Sequence, residues 1–176
     1  MKKLIASAAL LLIVLYSFTA CEKDDICAEG TPTTPSLVLE FYENENREQL
    51  RSITNLRLYA EGVNDTLPVA GQPVTFDRIA IPLRTDAQTT RWFLQYSIPN
   101  TNIVNTDILT FNYTSQQIYV SRACGYKSVF YLNPENDSLP GVVLSDEGAN
   151  NFWIADYSIE QPNIEDENEA HIKIYF

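Results

Sequence analysis

The chain is poor in the residues from which most catalytic and metal sites are built. Its 176 residues include one histidine and three cysteines, and 12 basic side chains stand against 23 acidic ones. A lone His171 offers no partner for a zinc set. Neither Gly-x-Ser-x-Gly nor His-Glu-x-x-His occurs, and no glycine-rich phosphate loop is present. The shortage of positive charge, with a formal net charge of −11, argues against a nucleic-acid partner, because phosphate recognition needs a basic surface. No catalytic residue, cofactor or metal is expected. No apolar run reaches the ~20 residues of a membrane-spanning helix. What remains is a hydrophobic content of 45%, ordinary for a globule, which excludes wholesale disorder. The length suits one domain with a sizeable core.

The apolar residues at the start are arranged as a targeting signal. Lys2 and Lys3 precede the apolar run Leu4–Tyr16, broken only by Ser7, and Phe18-Thr19-Ala20-Cys21 follows. This order fits the h-region and small-residue cleavage site of a secretory signal over residues 1–20. The cysteine after Thr-Ala resembles the bacterial lipobox, in which the thiol is acylated and the preceding peptide bond is cut, although Phe18 stands where Leu is usual. The alternative is plain secretion. A lipobox cysteine carries a diacylglyceryl group, often with a further N-acyl chain, and each buried CH₂ contributes ~0.8 kcal/mol, so release from the bilayer is slow. Losing Lys2 and Lys3 would make the body still more acidic and repelled by an anionic leaflet, which leaves anchoring to the lipid. Beside Cys21, the run Lys23-Asp24-Asp25 resembles the Lys-(Asp/Glu)-(Asp/Glu) signal of surface-exposed lipoproteins in the Bacteroidota; a solvated acidic linker is the alternative. The expected location is the outer membrane, facing outward, with a periplasmic-facing position as the second choice.

If acylation uses Cys21, then Cys27 and Cys124 remain. An even pair in an oxidising compartment reads as a disulfide. Closing so long a loop removes unfolded-chain entropy worth roughly 4–5 kcal/mol. The competing reading, a nucleophilic Cys124 with His171 as base, needs a solitary thiol. Residues 21–35 read as a linker, acidic at first and then rich in Thr and Pro. Unpinned, it could lift the domain by up to about 50 Å; pinned at Cys27, the reach falls to about 18 Å.

From Ser36 onward the hydrophobic period is two. Leu37, Leu39 and Phe41 share a face, as do Leu56 and Leu58, then Trp92, Leu94, Tyr96 and Ile98, then Leu109, Phe111 and Tyr113, and finally Ala170, Ile172, Ile174 and Phe176. The phase switches at Asp77-Arg78 and again between Ile154 and Tyr157. Thr114-Ser115-Gln116-Gln117 is taken as a hairpin turn before Ile118 and Val120. Only residues 45–54 could hold a short helix. Eight to nine short strands without helical crossovers predict an all-β fold, a single antiparallel sandwich (Ig-like or jelly-roll-like) over residues 36–176. A membrane barrel is disfavoured: the strands fall short of the ~9–11 residues needed to span. Arg57, Arg78 and Lys173 would also face lipid.

Several segments in order carry a family resemblance. They are Cys21-Glu-Lys-Asp-Asp-Ile-Cys27, Ile81-Pro-Leu-Arg-Thr-Asp86, Leu109-Thr-Phe-Asn-Tyr113, Val120-Ser-Arg-Ala-Cys-Gly125, and Asn163-Ile-Glu with Ala170-His-Ile-Lys-Ile174. Together they resemble an uncharacterised lipoprotein family of the Bacteroidota, carried as a domain of unknown function. The resemblance supports the anchor and the placement of Cys27 and Cys124, and implies no activity.

Other residues have bland readings. His171 should point away from the main core face as a structural or solvated histidine. The stretch Glu165–Glu169 could take Ca²⁺ but lacks the Asp-x-Asx-x-Asx-Gly register, so a solvated turn is favoured. Arg122 suits a rim position with its stem packed and its head in water. Arg84 and Asp86 sit where strand meets loop, either as binding residues or as an ion pair. Asp65-Thr66-Leu67 and Asp137-Ser138-Leu139 each resemble the Asp-(Ser/Thr)-apolar O-glycosylation acceptor of the Bacteroidota, which marks Thr66 and Ser138. The functional expectation is a non-catalytic, lipid-anchored binding or accessory module with a protein or glycan partner in the envelope. The alternatives are a structural subunit of an envelope complex and a hydrolase using a carboxylate pair.

Overall fold

The computed structural model describes residues 26–31, 33–67, 75–148 and 151–176. The signal segment 1–20, the acylation candidate Cys21 and the Lys23-Asp24-Asp25 run lie outside the described residues. Ten strands follow one another: β1 (Leu37–Tyr42), β2 (Leu56–Ala60), β3 (Arg78–Ile81), β4 (Thr89–Ser97), β5 (Val104–Ser121), β6 (Gly125–Leu132), β7 (Val142–Asp146), β8 (Asp156–Ile159), β9 (Asn163–Ile164) and β10 (Ile172–Tyr175). Among the described residues there is no helix, so the fold is all-β and sandwich-like, as the period of two predicts.

The larger unit comprises residues 32–118 and 127–176. One sheet has the order β3-β1-β10-β8, and the other runs β2-β4-β5-β6-β9 with β7 also paired to β5. β1–β3, β8–β10, β2–β4, β4–β5, β5–β7 and β6–β9 pair antiparallel, while β1 and β10, the first and last strands, run parallel with Leu39 opposite Ile172 and Phe41 opposite Ile174. Alternation makes the core: Leu37, Leu39 and Phe41 from β1 and Ile172 and Ile174 from β10 meet Leu58, Leu94, Leu109 and Phe111 of the other sheet in one buried cluster. At one end Phe176 packs edge-on against Phe41, Tyr96 and Trp153. Both indoles satisfy their N–H groups, Trp92 on the Pro82 carbonyl and Trp153 on that of Leu94.

Two expectations change. Residues 45–54 form turns and isolated bridges, Tyr42 to Leu50 and Ile53 to Phe76, in place of a helix. Thr114–Gln117 is not a turn; β5 continues through it to Ser121, and the chain reverses at Arg122–Cys124 with Gly125 at φ +71°. Residues 114–118 are exposed on both faces, so the polar run that imitates a turn is a strand with no core to cover.

The partner of β5 changes along its length, from β7 over residues 107–111 to β6 beyond. Asn112 closes the gap. Its N–H donates to the Gly141 carbonyl (2.9 Å), its carbonyl accepts from the Asn133 N–H (3.0 Å), its Nδ2 donates to the Pro140 carbonyl (2.8 Å) and its Oδ1 accepts from the Thr89 hydroxyl (3.0 Å). Gly141 is required there, since a Cβ would run into the Asn133 backbone.

The smaller unit comprises residues 1–31 and 119–126. Its described part holds the Cys27–Cys124 disulfide, with Cα atoms 4.9 Å apart and a sequence separation of 97, and the edge-to-face pair Tyr119–Tyr126. Arg122, in the turn, is exposed.

Candidate functional site

The polar group that the fold treats most unusually lies at the start of β5. Leu109, Phe111 and Tyr113 face the core, and the same parity carried backward places Asp107 and Asn105 on that face too. Asp107 is 0% exposed and Asn105 6%. Asp107 stands directly opposite Asp146 of β7, so the two carboxylates share one face of the ladder with their Cβ atoms about 5 Å apart.

Segment 151–154 folds over this place. Asp107 Oδ2 accepts from the Trp153 N–H (3.0 Å) and the Ile154 N–H (2.8 Å), and Asn105 Nδ2 donates to the Asn151 carbonyl (2.6 Å). Those bonds set Ile154 into the core and hold Trp153 against Tyr96. They use only half of each side chain. Asn105 Oδ1, Asp107 Oδ1 and Asp146 Oδ1 are all buried without a hydrogen-bond partner among the described residues. Burial pushes the Asp107 carboxyl up to about 6; the Ile154 and Trp153 N–H groups act against the rise, and the Asp146 charge adds to it.

The other sequence candidates resolve differently. His171 is buried, not solvated: its Nδ1 accepts from the Val38 N–H (2.9 Å), and burial holds its pKa below the ordinary value. Cys124 is bonded to Cys27, which removes the nucleophile reading. Arg84 and Asp86 form a forked pair at 3.0 Å on the surface. In the acidic stretch, a depression of about 380 Å³ is lined by Glu165, Asp166, Glu169 and His171. The carboxylates there serve local ties: Glu165 accepts from the Tyr131 hydroxyl, Glu167 from the Ser36 N–H and Asp166 from the Asn168 N–H. Among the described residues no three His, Cys, Asp or Glu side chains converge as a metal set. Thr66 is half-buried, and Ser138 is exposed with its hydroxyl on Asp137.

A family of unknown function, DUF6452, matches residues 55–176. The chain belongs to the DUF6452 family. No curated protein matches it significantly, and no solved structure does. The DUF6452 match takes in Asn105, Asp107, Asp146, Cys124 and His171, while Cys27 and β1 precede it. The Asn105–Asp107–Asp146 group carries no sequence motif, and the apolar alternation of β5 begins only at Leu109. Two and four residues back from Leu109 on the same parity stand Asp107 and Asn105, whereas Asp146 joins them only through the pairing of β5 with β7.

Proposed function

We propose that this DUF6452 chain is a lipoprotein of a Bacteroidota-type outer membrane, anchored by acyl chains on Cys21 and serving as a non-catalytic binding or accessory module for a protein or glycan of the envelope. The observation that carries the reading is the Cys27–Cys124 bond. Such a bond belongs to an oxidising compartment, and it leaves Cys21 as the one remaining thiol, beside the lipobox-like Phe18-Thr19-Ala20. With Cys27 crosslinked, five residues separate it from the acyl group, a reach of about 18 Å, so the crosslinked unit sits close to the bilayer. Asp107, which faces Asp146, is fully buried and too deep to flank a sugar, so this pair lends no support to carboxylate hydrolysis. Lys23-Asp24-Asp25 would act as the outward-display signal, and Thr66 and Ser138 as glycan acceptors.

Expression of the full chain in a Bacteroidota host with an alkyne fatty acid tests this. The wild type should take up label, partition into detergent and show the mass of residues 21–176 plus lipid; Cys21→Ser should do none of these. Recovery of uncut, unlabelled chain from the cytosol overturns the reading.

A further inference from the structure

We propose that Asn105 Oδ1, Asp107 Oδ1 and Asp146 Oδ1 form a binding site for a hard divalent cation of the calcium class. These are the three buried side-chain oxygens without a hydrogen-bond partner among the described residues, and they gather on one strand pair. Two are carboxylate oxygens from residues directly opposite one another, and the third belongs to the residue two places along the same face of β5. The partners that Asn105 and Asp107 do have, Asn151, Trp153 and Ile154, all lie in the segment folded over them, so Asn105 Oδ1 and Asp107 Oδ1 are left over after the covering contacts are made. An orphaned buried acceptor costs free energy, and a pair of facing carboxylates costs more. A dication neutralises both charges and accepts all three oxygens at once.

The donor chemistry selects the ion. All three donors are oxygen, with no sulfur or imidazole, which excludes zinc and copper preference. Calcium tolerates irregular sets of 6–8 oxygens, with water completing the shell, whereas magnesium demands a near-ideal octahedron that three oxygens fixed along one strand pair do not preset. Asp146 is half-buried and marks the open side. With two carboxylates, affinity should fall in the range of extracellular calcium modules, a Kd of about 0.1–1 mM. The inference is independent of lipidation.

The test uses the full-length purified chain stripped with EGTA and titrated with terbium, then with calcium as competitor. Energy transfer from the aromatic side chains, Trp153 foremost, should light one terbium per chain, calcium should displace it, and Asp146→Asn should weaken binding at least tenfold. Asp166→Asn, in the acidic surface stretch, should leave the signal unchanged. Absence of a one-to-one signal in the wild type, or an undiminished signal in Asp146→Asn, overturns the site. If Asp146→Asn does not fold, Asn105→Leu decides by the same criterion.

Discussion

Asn112 and Asp107 lie five positions apart on β5, both nearly inaccessible to water, and the fold treats them in opposite ways. Asn112 stands where β6 gives way to β7, and its backbone and side-chain oxygen and nitrogen atoms all have partners. Asp107 has a latch on one oxygen and, among the described residues, no partner on the other. The first is what a buried polar residue looks like when its role is architectural. The second carries an uncompensated cost, so a plain stability argument does not account for it.

The junction should break hardest. Gly141→Ala drives a Cβ into the Asn133 carbonyl and amide, and no flexible side chain is there to yield. It should cost about 3 kcal/mol or more, read as a fall in the urea midpoint without a change in slope. Asn112→Ala should cost about 1–2 kcal/mol, chiefly by leaving the half-buried Pro140 carbonyl without its donor, since the exposed Thr89 hydroxyl can turn to water. An unchanged midpoint in either variant would show that the seam relaxes freely.

The same kind of substitution should have the opposite sign at Asp107. In chelator at pH 7.5, Asp107→Asn keeps an oxygen for the Trp153 and Ile154 N–H groups, removes a buried charge and offers N–H donors toward Asp146. A carboxyl lifted from 3.8 to about 6 binds its proton more tightly folded than unfolded. Its contribution is therefore fully favourable below pH ~3.8 and is lost as pH rises through about 6, a swing of at most about 3 kcal/mol. Asp107→Asn should gain about 1–2 kcal/mol at pH 7.5 and nothing near pH 4. A destabilised variant at pH 7.5 would mean that the ionised carboxylate is compensated without a cation.

Legibility in the sequence followed the same division. Where one face of a strand is buried, as for Leu37-Leu39-Phe41 or Ile172-Ile174, alternation alone identified both strand and core. Cysteine parity anticipated the Cys27–Cys124 bond. The reading failed where polarity and burial part company. Thr114–Gln117 is polar because that stretch of β5 has no buried face, so it imitated a turn; the actual reversal is marked by Gly125. Asn105 and Asp107 are polar but buried, so the apolar alternation that marks β5 does not reach them. The parallel pairing of β1 with β10 is non-local and leaves no trace in either strand's pattern.

His171 should show the smallest effect, with a sign opposite to that of Asp107. Burial holds its folded pKa below the ordinary 6.5, while Asp166 and Glu167 oppose the shift and Arg78 reinforces it. The unfolded chain therefore takes up a proton first as pH falls. Its contribution is present above pH 6.5 and is lost as pH drops below that value toward the folded pKa. One site cannot exceed a slope of about 1.4 kcal/mol per pH unit. The measurement belongs in the Asp107→Asn background, where the opposing slope is gone. Stability should fall from pH 6.5 to pH 5.5 there, and His171→Asn, whose Oδ1 can still accept from the Val38 N–H, should flatten the profile. A flat profile before the histidine is replaced would mean that the ring is protonated in the folded protein, and that the Val38 N–H has lost its acceptor.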